Sequence, residues 1–127
     1  MVRIDLASSV PVYEQIVDGV RAELVEARFD PGDKLPTVRA LATALGVHHN
    51  TVAQAYRRLA DEGWLELRRH HGAVVLERDR PRAGRDAPER FSKPLRELIA
   101  KALADGLPPK SLVRELLAHA RRIEELA

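Results

Sequence analysis

The sequence predicts a mainly α-helical fold carrying one small β-hairpin. Three observations lead there. Between residues 11 and 62, apolar side chains recur at helical spacing in three stretches. The segment WLELRRHHGAVVLE, residues 64–77, then changes to short runs with β-branched content around a glycine. Helical spacing resumes at Leu95. At 127 residues the chain suits one small domain with an appendage, and its 4% aromatic content requires an aliphatic core.

The first helix follows Pro11, with Val12, Ile16, Val20 and Leu24 four residues apart and Tyr13, Val17 and Val25 widening the stripe. The turn signal DPGD ends it. The second, short helix runs from Thr37 to Leu45 with Val38, Leu41, Ala42 and Leu45 inward. Thr37 can cap it, because a hydroxyl oxygen accepts from first-turn amides, and Gly46 can stop it by turning left-handed. A third helix begins at Asn50 or its neighbours, buries Val52, Ala55, Tyr56 and Leu59, and ends at Asp61–Gly63. Two helices joined by a tight glycine turn form a helix-turn-helix, a corner that many helical cores also contain. Strands expected at Trp64–Arg69 and Ala73–Glu77, turning at His70, His71 and Gly72, follow directly. A hairpin in that place is the wing of a winged helix.

Residues 78–94, RDRPRAGRDAPERFSKP, break the pattern with arginine, proline and glycine. They read as a basic linker, either solvated or lying near phosphates. Two further helices carry Leu95, Leu98, Ile99, Ala102 and Leu103, then Leu112, Val113, Leu116, Leu117, Ala120 and Ile123. The expected organisation is therefore a winged helix-turn-helix domain at 1–77, a linker at 78–94 and a two-helix dimerisation segment at 95–127. Leu95, Leu98, Leu103, Leu112, Leu116 and Leu117 are its candidate dimer contacts, since such stripes are too apolar to leave in water.

Composition excludes several classes. With no cysteine there are no disulfides and no thiolate chemistry, which is compatible with a cytoplasmic protein. No apolar run is long enough to span a membrane. The serines lack a glycine-rich elbow and no phosphate loop is present, so no enzyme and no cofactor are expected. Net charge is only +2, and residues 1–77 hold nine Lys/Arg against eleven Asp/Glu, so charge alone does not identify a nucleic-acid binder.

The segments PVYEQIVDGVRAEL, FDPGDKLPTVRALATALGV, NTVAQAYRRLADEGWLELRR and GAVV together resemble the GntR family of bacterial transcription regulators, in particular its small YtrA-like subfamily. The tail LRELIAKALADGLPPKSLVRELL is similar to the short two-helix tail of that subfamily. The resemblance implies a homodimeric, operator-binding regulator, a repressor in character, acting near a transporter operon. It places Thr37 and Arg39 on DNA backbone and bases, and His48, His49, Asn50 and Thr51 at the start of the recognition helix. Arg68, Arg69, His70, His71 and Gly72 fall in the wing. The family's wing usually reads Gly-x-Gly, and here His70 stands in place of the first glycine.

Both histidine pairs thus fall where relatives face DNA. Phosphate or base contact is the leading reading, with plain solvated residues and a metal site as alternatives. Adjacent helical side chains diverge by ~100°, which makes a chelating pair awkward. Histidines meeting phosphate would gain protons on binding, so acid would strengthen it. Arg57 and Arg58 are open between a solvated face and phosphate contact, while Tyr56 and Trp64 read as core. A protein-interaction module is the remaining alternative class.

Overall fold

The computed structural model describes residues 2–78 and 84–126. The chain divides into two compact units, Met1–Asp79 and Arg80–Ala127.

In the first unit, α1 spans Val12–Val25 and buries Ile16, Val17 and Val20. Val25, expected on the buried stripe, is half exposed because the helix ends there, well before DPGD. Ala27 takes a left-handed φ of 55°, and the Arg28 amide donates back to the Glu23 carbonyl at 3.0 Å. This is a glycine-type helix stop made with alanine, which is why no turn residue announced it. Helix α2, Val38–Leu45, begins as expected, with the Ala40 amide donating to Thr37 Oγ1 at 3.0 Å. Gly46 closes it at φ 70°. Helix α3, His49–Asp61, buries Val52, Ala55, Tyr56 and Leu59.

Strands β1, Leu65–Arg68, and β2, Gly72–Val75, pair antiparallel with Leu65 opposite Val75 and Arg68 opposite Gly72. Both are shorter than expected, leaving Arg69, His70 and His71 as the loop. The sheet also has an edge that the sequence did not announce. The Gly32 amide donates to Val75 O at 2.8 Å, Val75 to Asp33 O at 2.8 Å, and Leu35 to Ala73 O at 2.9 Å. With hydrogen bonds on both sides, β2 is central, and Ala73, Val74 and Val75 are all buried. The core joins Ile16, Val20, Leu35, Leu41, Val52, Tyr56, Leu59 and Leu65 from all three helices and the sheet.

The second unit is a helical hairpin of α4, Ala87–Ala104, and α5, Pro109–Leu126, which contact each other. Helix α4 starts eight residues before Leu95, inside the stretch expected to be linker. Pro88 lies in the first turn, where an amide N–H has no helical acceptor to lose, so it does not oppose the extension. Arg90 pairs with Asp86 at 3.2 Å, and Phe91 stands four residues before Leu95 on the same stripe. Pro94 costs one internal hydrogen bond without ending the helix. Of the linker stretch, residues 79–83 lie outside the described residues. Neither helix has a buried residue. Leu95 and Leu112 are half-buried, whereas Leu98, Leu103, Leu116 and Leu117 are exposed, together with Phe91, Val113 and Ile123.

Candidate nucleic-acid interface

Helix α3 presents a polar face because Val52, Ala55, Tyr56 and Leu59 all turn to the core. His49, Asn50, Gln54 and Arg57 are exposed, and Thr51 is half-buried. Positions 50, 54 and 57 repeat at helical spacing and align along one side.

On one flank of α3 lies a cleft of about 350 Å³ formed at the α2–α3 turn, lined by Arg39, Thr43, Gly46, His48 and His49 among others. The α2–α3 packing that builds the core is what brings Arg39 beside the two histidines. His48 precedes the helix and its Nδ1 accepts the Asn50 N–H at 3.1 Å. The rings of His48 and His49 stack with centroids 4.4 Å apart. His48 thus has a structural task as well as an exposed ring.

On the other flank, a groove of about 300 Å³ separates α3 from the wing. Val38, Ala53, Tyr56 and Leu67 make it apolar, with Thr37, Arg57, Arg68 and Gly72 at its margins. Tyr56 anchors its floor by donating its hydroxyl to the Pro36 carbonyl at 2.7 Å, and burial pushes that phenol up to about 12. At the wing, Arg68 pairs with Glu66 at 3.0 Å. His70 takes a left-handed φ of 66°, the conformation for which a glycine is the usual residue.

The arginines divide. Arg58 donates to Glu62 at 3.3 Å and to the Tyr13 hydroxyl, so it belongs to the joint between α1 and α3. Arg39, Arg57 and Arg69 make no ion pair among the described residues. All three are exposed, leaving their guanidinium groups available to an anionic partner. Thr37 Oγ1 is occupied as an acceptor by the α2 cap but keeps its own proton to donate.

The structure therefore gathers Arg39, His48, His49, Asn50 and Thr51 around the start of α3, and Thr37, Arg68 and Gly72 along the groove toward the wing. Arg69, His70 and His71 form the exposed wing loop. Gln54 and Arg57 share the α3 face; the sequence leaves Arg57 open between solvent and phosphate, and Gln54 is not among its candidates. Their signal was the interval of four and seven residues from Asn50. Among the described residues, no group of three or more His, Asp or Glu side chains is placed to hold a metal ion, and no helix is long and apolar enough to cross a membrane.

Residues 12–75 match the family described as bacterial regulatory proteins, gntR family. The HTH-type transcriptional repressor YtrA of Bacillus subtilis (strain 168) is 33% identical over 124 residues, covering 95% of this chain and 95% of that protein. The HTH-type transcriptional regulator Rv1152 of Mycobacterium tuberculosis is 36% identical over 118 residues, 90% of this chain and 89% of its own. Among solved structures, YtrA from Sulfolobus acidocaldarius, a GntR-family transcription factor, superposes with a TM-score of 0.57 at 33% identity, over 97% of this chain and 99% of that one.

Proposed function

The chain belongs to the GntR family of bacterial regulatory proteins and is a DNA-binding transcriptional regulator of winged-helix fold, and from that premise we propose how it engages DNA. Helix α3 enters the major groove and reads bases through His49, Asn50, Thr51 and Gln54. Asn and Gln side chains suit this task because each can meet adenine in two hydrogen bonds. Arg39 reaches phosphate or guanine from the α2 side, assisted by Thr37. The wing loop, through Arg68, Arg69, His70, His71 and Gly72, lies against the neighbouring backbone, and Arg57 holds phosphate between the two. The observation that carries the reading is the exposed polar face of α3, bordered by Arg39 on one flank and Arg57 on the other, neither of which makes an ion pair among the described residues.

The acting species is a homodimer that represses transcription from a palindromic operator. Exposed Leu98, Leu103, Leu116 and Leu117 supply its interface, with Phe91 added by the longer α4. Two-fold symmetry then sets half-sites about one helical turn apart, about 10 base pairs from centre to centre.

The test starts with a duplex that the protein selects from a randomised pool, followed by mobility shifts at fixed salt. Arg39→Ala is expected to weaken binding by roughly 1–3 kcal/mol with melting unchanged, since Arg39 is exposed. Arg39→Lys should restore only part of this, because an ammonium lacks the two-pronged fork. Affinity unchanged by Arg39→Ala would remove this arginine from the interface.

A further inference from the structure

The turn before α3 ends on a histidine doing the work of a smaller side chain. His48 has extended backbone angles, φ −69° and ψ 141°, and its Nδ1 accepts the Asn50 N–H at 3.1 Å. Residues favoured at this position are serine, threonine, aspartate and asparagine, whose oxygens stay acceptors throughout the neutral range. An imidazole is an acceptor only while neutral, because both nitrogens of the imidazolium are donors. The bond to Nδ1 assigns the ring proton to Nε2 and leaves that N–H facing outward as a donor. Protonation would set a donor against the Asn50 amide, also a donor.

The groups facing His48 are the His49 ring from α3, stacked at 4.4 Å, and Arg39 from α2, which lines the same cleft. Among the described residues no carboxylate lines that cleft.

We infer that His48 is a positioning residue, a proton-sensitive cap. Its neutral form fixes the first turn of α3, with Asn50 and Thr51, and its protonated form releases that turn. The inference rests on the reading of α3 as the helix that enters DNA. For His48 it reverses the sign expected of a histidine that simply meets phosphate. If binding needs the capped form, the complex holds fewer protons at His48 than the free protein does, so acid weakens binding through this residue.

The experiment uses the full chain and the duplex that it selects from a randomised pool, comparing wild type with His48→Asn and His48→Ala. Asparagine keeps an acceptor that does not titrate, and alanine removes it. With His48→Asn as the reference at each pH, wild type should bind about fivefold more weakly relative to it at about pH 5.5 than at about pH 8. His48→Ala should be weaker than His48→Asn by a similar factor at both. Taking the ratio to His48→Asn cancels the response of the other histidines. In the DNA-free chain, exchange of the Asn50 amide, corrected for its intrinsic rate, should lose protection in acid for wild type and keep it for His48→Asn.

A ratio that stays constant with pH, or shifts in favour of wild type in acid, overturns the proposal. Asn50→Ala separates this from failure of the underlying reading. If Asn50→Ala weakens binding while the ratio is flat, only the proton-sensitive cap falls. If Asn50→Ala also leaves affinity unchanged, α3 is not the reading helix and both conclusions fall.

Discussion

Single residues carry constraints here that their neighbours do not share. His70 occupies a left-handed conformation at the wing tip that costs an ordinary side chain about 1–2 kcal/mol, less for histidine than for a β-branched residue. His70→Gly is expected to raise stability by about 1 kcal/mol, read as a higher denaturant midpoint. If His70 holds phosphate, the same change lowers DNA affinity, so stability and binding should move in opposite directions. Tyr56 shows the cost of a buried polar atom. Its hydroxyl satisfies the Pro36 carbonyl, and Tyr56→Phe leaves that carbonyl without its partner, at about 1–3 kcal/mol. The phenol also predicts a pH response. Its folded value of about 12 stands above the ordinary value near 10, so its contribution is complete below about pH 10 and is lost as pH rises through about 12. Stability of wild type should fall across that window more steeply than that of Tyr56→Phe.

Between elements, side-chain pairing joins α1 to α3 and its C-terminal end. Arg21 on α1 donates twice from Nη2 to Glu62, at 2.7 and 3.1 Å, just beyond the end of α3, and Arg58 reaches the same carboxylate. Partial burial acts to raise the Glu62 carboxyl, but the hydrogen bonds and charge of Arg21, followed by those of Arg58, outweigh it and hold the group below the usual range. A depressed carboxyl stabilises the fold above its unfolded value and loses that contribution as pH falls. The advantage of wild type over Glu62→Gln should therefore be present at neutrality and shrink below about pH 4.3. Parallel unfolding curves for the two proteins from neutral to acid pH would contradict this role. The pairing also accounts for the unlike fates of two adjacent arginines. Arg58 is committed to the joint, and Arg57, one residue earlier and turned toward the wing, is not.

For the whole molecule, the exposed apolar surface of the α4–α5 hairpin is the dominant unsatisfied feature. Phe91 and Leu98 are each about two-thirds exposed, and Leu117 about half. Such exposed apolar side chains fit the proposed dimer interface, and covering them would return about 25 cal/mol per Å². On the proposed homodimer, replacing Leu98 and Leu117 together by glutamate should lower the sedimenting species from dimer to monomer, with the winged-helix unit still folded. Operator affinity should fall because two linked half-sites bind more tightly than one. A double variant that still sediments as a dimer would place the interface elsewhere.

Local chemistry determined much of this in the sequence. Helical spacing marked α1, α2 and α3; Thr37 and Gly46 marked the ends of α2; Gly72 and the strand residues marked the wing. Each signal acts through neighbours within about a turn, and so survives without tertiary context. What the folded structure alone decided depends on partners distant in sequence or on residues that lack a standard signal. The strand edge at Gly32–Leu35 exists because β2 offers it a ladder some forty residues away. Arg58 is distinguished from Arg57 only by Glu62 and Tyr13. The extension of α4 through Pro88 and Pro94 passes residues that ordinarily argue for a break. His48 is the sharpest instance. The letters HHN announce polar groups near DNA, but only the backbone angle at His48 turns one ring nitrogen onto the Asn50 amide and makes its lone pair part of the helix.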